Sequence, residues 1–160
     1  KTLTKYTPNV FVQEAPVTTY DNKKHILKNI IASFSPDKNN RILLMAHWDT
    51  REIADQDPDS TNHNKPILGA NDGASGVAVL MVLAEIISNN ELSNIGVDLL
   101  FIDGEDMGRS GDLENFCIGT TKFCEVIPYP EPRYAICLDM IADYLSNPDI
   151  LELEKIKRIK

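Results

Sequence analysis

Four short polar clusters carry the residue types that do chemistry: His47-Trp48-Asp49, Asn71-Asp72-Gly73, Gly104-Glu105-Asp106 and Leu138-Asp139-Met140. Three of them follow directly on apolar runs, R-I-L-L-M-A (41–46), V-D-L-L-F-I (97–102) and Y-A-I-C-L (134–138). Asp72 lies in G-A-N-D-G-A-S-G (69–76), just ahead of a long apolar segment. One imidazole and several carboxylates suit Zn²⁺, whose catalytic sites take such ligands and keep one position open. A carboxylate beside a ligating one, as Glu105 stands beside Asp106, is placed to act as a general base. Asp49, two residues after His47, has the spacing to hold the other ring nitrogen of that imidazole. Each cluster alone has an ordinary structural reading: a strand-end histidine, a solvated turn, an aspartate at a helix dipole. Together they put an ionisable group at the end of every buried strand, which packing does not require.

Rival chemistries fail on particular residues. G-A-S-G-V (73–77) lacks the last glycine of G-x-S-x-G, and no His follows Ser75, so the order Ser, Asp, His is impossible. The glycine-rich stretch matches neither G-x-G-x-x-G nor the phosphate-binding P-loop. Asp55, Asp57 and Asp59 imitate the start of a calcium loop, but Ser60 stands where that loop needs Gly and Pro66 where it needs Glu. His25 and His63 read as solvent-facing.

The elements that must position these residues follow from the pattern. Val10 to Tyr20 and His25 to Phe34 read as strands joined through Asp21-Asn22, and residues 35–40 as a turn. The run at 41–46 is continuously apolar, as strands covered on both faces are, and those at 95–102 and 134–138 read as further buried strands. Ser75 is placed to cap a helix running to about Ser88, ended by Asn89-Asn90. Residues 112–126 read as a second helix despite Gly119, and 51–68 as a long polar loop of functional type. The segment 151–159 alternates apolar and charged residues without a helical stripe. Short apolar strands separated by helices predict an α/β fold with a largely parallel sheet and helices on both faces. In such sheets ligands bind beyond the carboxyl ends of the strands, where all four clusters fall.

Composition narrows the class. The chain has 160 residues, 42% hydrophobic and 25% charged, which predicts one ordinary globular domain and excludes collagen-like and disordered classes. The longest apolar run, Val77 to Ala84, is far short of the ~20 residues of a membrane span. A net charge of −8 with a pI near 4.8 argues against nucleic acid as a partner, since duplex binding needs a basic face. Cys117, Cys124 and Cys137 are too few and too odd in number for a disulfide framework, and read as buried thiols. Seven residues on one helix would also hold Cys117 and Cys124 roughly 10 Å apart, beyond disulfide reach. Residues 1–20 contain no signal peptide.

H-W-D-T-R (47–51), G-A-N-D-G-A-S-G (69–76), D-G-E-D (103–106) and L-D-M-I (138–141) resemble the zinc aminopeptidase superfamily that includes the glutaminyl cyclases. The loop A-D-Q-D-P-D (54–59), N-K-P-I-L-G-A-N-D-G-A-S-G-V (64–77) and F-C-I-G-T (116–120) look most like bacterial glutaminyl-peptide cyclotransferases. The resemblance spans about residues 10–142 and implies a three-layer sandwich around a mostly parallel mixed sheet. It implies that Asp72 is the central zinc ligand, Asp106 a second ligand on the same ion, and Glu105 the proton carrier. His47 and Asp139 would hold a second zinc in a dinuclear aminopeptidase. In a cyclase they would surround a single zinc, with Asp139 assisting proton transfer. Substrates would be peptide or protein N-termini, in the bacterial periplasm or cell envelope. A peptide-binding relative without turnover is the third reading. Two departures stand out. Asp106 replaces the family's usual Glu, and no His follows His63, although the family's last zinc ligand is a His downstream of L-D-M-I. The expectation is therefore that residues 1–160 form the central part of a larger catalytic domain, incomplete at both ends.

Overall fold

The structure, a computed structural model, describes residues 1–109, 111–126 and 130–142. Strands β1 (Val10–Thr18) and β2 (Lys24–Phe34) form the expected antiparallel hairpin. Then come β3 (Arg41–His47), α1 (Ala74–Ser88), β4 (Gly96–Ile102), α2 (Ile118–Glu125) and β5 (Tyr134–Cys137). The five strands make one mixed sheet in the order β1-β2-β4-β3-β5. β3 is parallel to both β4 and β5, while β2 is antiparallel to β1 and β4. The parallel half brings the carboxyl ends of β3, β4 and β5 to one edge.

The two helices lie on opposite faces. Leu80 and Ala84 of α1 pack with Ala32, Phe34, Ala46, Leu99 and Phe101. Phe123 of α2 packs with Ile31, Leu43, Leu100 and Ile102. Alternate residues of β4 thus enter different cores, and every residue of that strand is buried. A strand covered on both faces has to be apolar throughout, which is why its sequence does not alternate. The exception is Asp98, fully engaged with the buried Arg41 at the opposite end of the sheet from the polar clusters.

Four expectations change. Ser75 does not cap α1: the cap is Gly73, and Ser75 lies inside the first turn with its hydroxyl donating to the Asn71 carbonyl. β5 is exposed along its whole length, because among the described strands it is an edge strand paired only to β3. The three cysteines are exposed rather than buried: Cys137 lies on that edge strand, Cys117 at the start of α2 and Cys124 on its outer side. Residues 112–126 are not one helix either. A short 3-10 turn at Leu113–Asn115 is followed by Cys117 in a left-handed conformation, φ 54°, before α2 begins. The alternating segment 151–159 lies outside the described residues. Among the described residues no helix is long and apolar enough to cross a membrane.

Candidate metal centre

Each functional side chain is delivered by a strand end or a helix start, and each is anchored from beneath. His47 is the last residue of β3, and only 2% of its side chain is exposed. The turn after β4 is pinned to β2: the Asp103 carboxylate accepts the Lys28 N–H at 2.8 Å, and the Asp103 N–H donates to Asn29 Oδ1 at 3.0 Å. α2 closes over that turn at Gly119, where an added Cβ would stand 1.8 Å from the Asp103 carbonyl oxygen. This close approach explains a glycine inside a helix. Asp72 ends the loop before α1, and the next residue, Gly73, has φ 88°. A Cβ there would meet the Asp49 carbonyl oxygen at 2.5 Å and the His47 ring at 3.3 Å, so only glycine lets the helix start this close to the imidazole. The chain after β5 is clipped to α1 and the loop before it, with the Ile141 N–H donating to Ser75 Oγ at 3.2 Å and the Ala142 N–H to Asn71 Oδ1 at 2.9 Å. These two bonds hold Asp139 at the rim.

His47, Asp72 and Asp139 converge. His47 Nε2 lies 2.9 Å from Asp72 Oδ1 and 3.5 Å from Asp139 Oδ1, and one ligand atom from each residue falls within 4.8 Å of the others. Both ring nitrogens of His47 are buried without an aligned hydrogen bond. A buried polar atom that finds acceptors nearby but no properly directed bond fits a shared cation better than a simple side-chain pair. Charge points the same way. The Asp49 carboxylate, with Glu105 and Asp139 adding to it, outweighs desolvation and pushes the His47 imidazole up to about 9. The pocket attracts positive charge, and its N and O donors are those zinc takes.

Asp49 stands 3.6 Å from His47 Nδ1, slightly beyond a hydrogen bond. Its carboxylate accepts the N–H groups of Glu105 and Asp106 at 3.1 and 3.0 Å. Burial pushes its carboxyl up, but His47 and those two donors outweigh burial and leave it below the usual range. Asp49 therefore ties the β3 end to the β4 turn.

Glu105 and Asp106 do not join the triad directly. Glu105 is half-buried, and burial raises its carboxyl. Cys117 reaches it twice, the N–H donating to the Glu105 carbonyl at 2.8 Å and Sγ to Oε1 at 3.3 Å. Asp106 is buried, its carboxyl also raised by burial, and it accepts Arg51 Nη1 at 2.8 Å. A cavity of about 620 Å³ adjoins Asp72 and Asp106, with Ile53, Ile67, Leu113 and Phe116 among its apolar lining. His25 and His63 stand apart from the cluster and are half-buried rather than solvent-facing; His63 Nε2 contacts the Asp57 carbonyl at 2.8 Å. Sequence reasoning assigned no part at this rim to Arg51, Asn71, Ser75 or Cys117. All four lie inside the family-like motifs, yet nothing in the spacing says which motif residues face the centre.

The profile of peptidase family M28 matches residues 29–158. Three solved structures are similar to this chain. A Zn-dependent exopeptidase from Parabacteroides distasonis is 38% identical with a TM-score of 0.81, over 88% of this chain and 50% of its own. A glutaminyl cyclase from Bacteroides thetaiotaomicron is 36% identical with a TM-score of 0.84, over 94% of this chain and 58% of its own. A leucine aminopeptidase precursor from the same organism gives the same identity, score and coverage. The chain thus spans between half and three-fifths of the length of these relatives.

Proposed function

Because this chain belongs to peptidase family M28, we propose that its rim of carboxylates is a zinc centre acting on peptide N-termini, and that the reaction is cyclisation of N-terminal glutamine. Asp72 and Asp106 are the ligands assigned to the primary ion, and His47 and Asp139 surround it. The observation that carries the cyclase reading is the contact between Cys117 and Glu105. F-C-I-G-T, the motif whose resemblance to bacterial cyclases supports this reading, is the segment that contacts the proposed proton carrier.

Bound zinc supplies Lewis-acid polarisation of the side-chain carbonyl under attack. The protein's residues do the rest. Glu105, poised by burial to hold a proton, takes one from the attacking α-amine and delivers it to the departing side-chain nitrogen. A ring N–C bond forms, the amide C–N bond breaks, and ammonia leaves. Asp139, half exposed beside His47, is placed to assist that transfer. The apolar walls of the adjoining cavity hold the substrate's first side chain away from water.

The compact His47–Asp72–Asp139 triad favours a second reading. Three donors this close suit an ion of their own, as a dinuclear aminopeptidase would need, and Glu105 would then deprotonate an attacking water. One experiment separates the two: incubation of the full-length protein and zinc with a glutamine-initiated peptide. Cyclisation releases one ammonia per peptide and no amino acid, and Glu105→Gln should retain zinc while kcat falls at least ~10²-fold. Release of the free N-terminal amino acid overturns the cyclase reading in favour of the aminopeptidase.

A further inference from the structure

Arg51 joins three parts of the molecule that are distant in sequence. Its Nε and Nη2 donate to the Asp55 carboxylate, and its Nη1 donates to Asp106 Oδ1 at 2.8 Å. Its guanidinium carbon also lies 5.5 Å from the centroid of the Phe116 ring. Both ends of the Asp106 contact are largely withdrawn from water: 15% of the Arg51 side chain and 9% of the Asp106 side chain are exposed. The same arginine lines both the cavity beside Asp72 and a second one of about 340 Å³ that includes Tyr20, His25 and Arg109. It stands, with Asp106, in the wall between them.

A residue that merely fastened the 51–68 loop would need the Asp55 and Phe116 contacts alone. The third contact reaches across to a proposed ligand. Asp106 is already fixed through its main chain, whose N–H is taken by Asp49. With Oδ1 engaged by Arg51, the carboxylate is held by both its backbone and one oxygen, and Oδ2 is the atom left for a cation. We propose that Arg51 is the positioning residue of the centre, orienting Asp106 so that one carboxylate oxygen is presented to the metal. This inference rests on the reading of Asp106 as a zinc ligand. Arginine suits this role because its planar fork engages two carboxylates at once, whereas lysine offers one point charge. Partners that hydrogen-bond a ligating carboxylate commonly change metal affinity 10–100-fold.

The test is a zinc titration of the full-length protein against a chromophoric chelator, comparing wild type, Arg51→Met, Arg51→Lys and Asp72→Ala. Visible spectra of the cobalt-loaded forms report the ligand geometry, and melting of the metal-free forms reports folding. Arg51→Met should bind zinc ~10–100-fold more weakly and shift the cobalt bands, and Arg51→Lys should recover part of the affinity. Unchanged affinity and spectrum in folded Arg51→Met overturn the inference. Tighter binding does so too, since it would make Arg51 a competitor for Asp106. If Arg51→Met fails to fold, Arg51→Lys decides, because wild-type affinity there excludes a role for the fork. Zinc lost in Asp72→Ala but unchanged in the Arg51 variants defeats this inference alone. Zinc retained in Asp72→Ala defeats the metal assignment and this inference with it.

Discussion

The two ends of the β3–β4 pair bury charge in opposite states. At the amino end, Arg41 is fully buried and Asp98 nearly so, joined by two bonds of 2.7 Å. Ser33 Oγ and the carbonyls of Ser35, Phe34 and Lys38 take the remaining guanidinium donors. At the far end of the same strand, His47 is as deeply buried yet neither ring nitrogen has an aligned bond, and carboxylates crowd around it. The amino end is balanced in charge and closed. The carboxyl end is acidic, half open and unfinished. Buried polar groups are almost always satisfied, so a sheet that satisfies one end completely and leaves the other short of positive charge has kept the second for a ligand.

Removing one charge from each end should have the most unequal consequences. Arg41→Ala leaves Asp98 buried without a counter-charge, which costs on the order of 3–5 kcal/mol. Asp139→Asn removes a half-exposed carboxylate from an acidic cluster and should change stability by no more than about 0.5 kcal/mol. Urea denaturation of the metal-free proteins checks both. Equal losses would mean the rim is as structural as the closed end.

Much of this was legible in the sequence, for reasons that also explain what was not. β3 and β4 stand out because a doubly covered strand is apolar at most positions on both faces, Asp98 excepted. The polar residue after each strand marked the rim because parallel strands end together. What spacing could not give was direction. Arg41 reads as the first residue of a strand, and only the fold shows its guanidinium turned inward to Asp98. Arg51 and Cys117 sit in recognised motifs, but their targets, Asp106 and Glu105, lie 55 and 12 residues away. Residue type does not decide burial at the cysteines, because neighbouring elements do: Cys137 is on the edge strand, and Cys117 sits in a left-handed turn rather than in a continuous helix.

The unbalanced charge at the carboxyl end also makes stability depend on pH. The raised pKa of His47, about 9 against an ordinary 6.5, means that its protonated form is favoured by the fold. That contribution to stability is complete below about pH 6.5 and is lost as pH rises through about 9. The metal-free protein should therefore melt at lower temperature as pH increases across this window, and His47→Gln should flatten that part of the curve. A metal ion bound to His47 requires the neutral ring, so its uptake would release this proton and strengthen as pH rises. Calorimetry in buffers of different ionisation enthalpy counts the released protons. Zinc uptake without a proton from His47 would favour a single ion on Asp72 and Asp106.

A small and local effect is expected at the clip that holds Asp139. Asn71 Oδ1 accepts the Ala142 N–H at an exposed position, so Asn71→Ala should cost only about 0.5–1.5 kcal/mol, toward the lower end because water can replace the lost acceptor. The global fold does not depend on it, as the β3–β5 pairing and the Ile141–Ser75 bond remain. The consequence is local: the Ala142 amide should exchange with solvent faster, while the amides of β4, buried in both cores, are unaffected. Residue-resolved hydrogen exchange checks this. If slowed or unchanged exchange at Ala142 accompanied the loss of Asn71, something other than this bond would be holding Asp139 against His47. The rim would then be stiffer than its openness suggests.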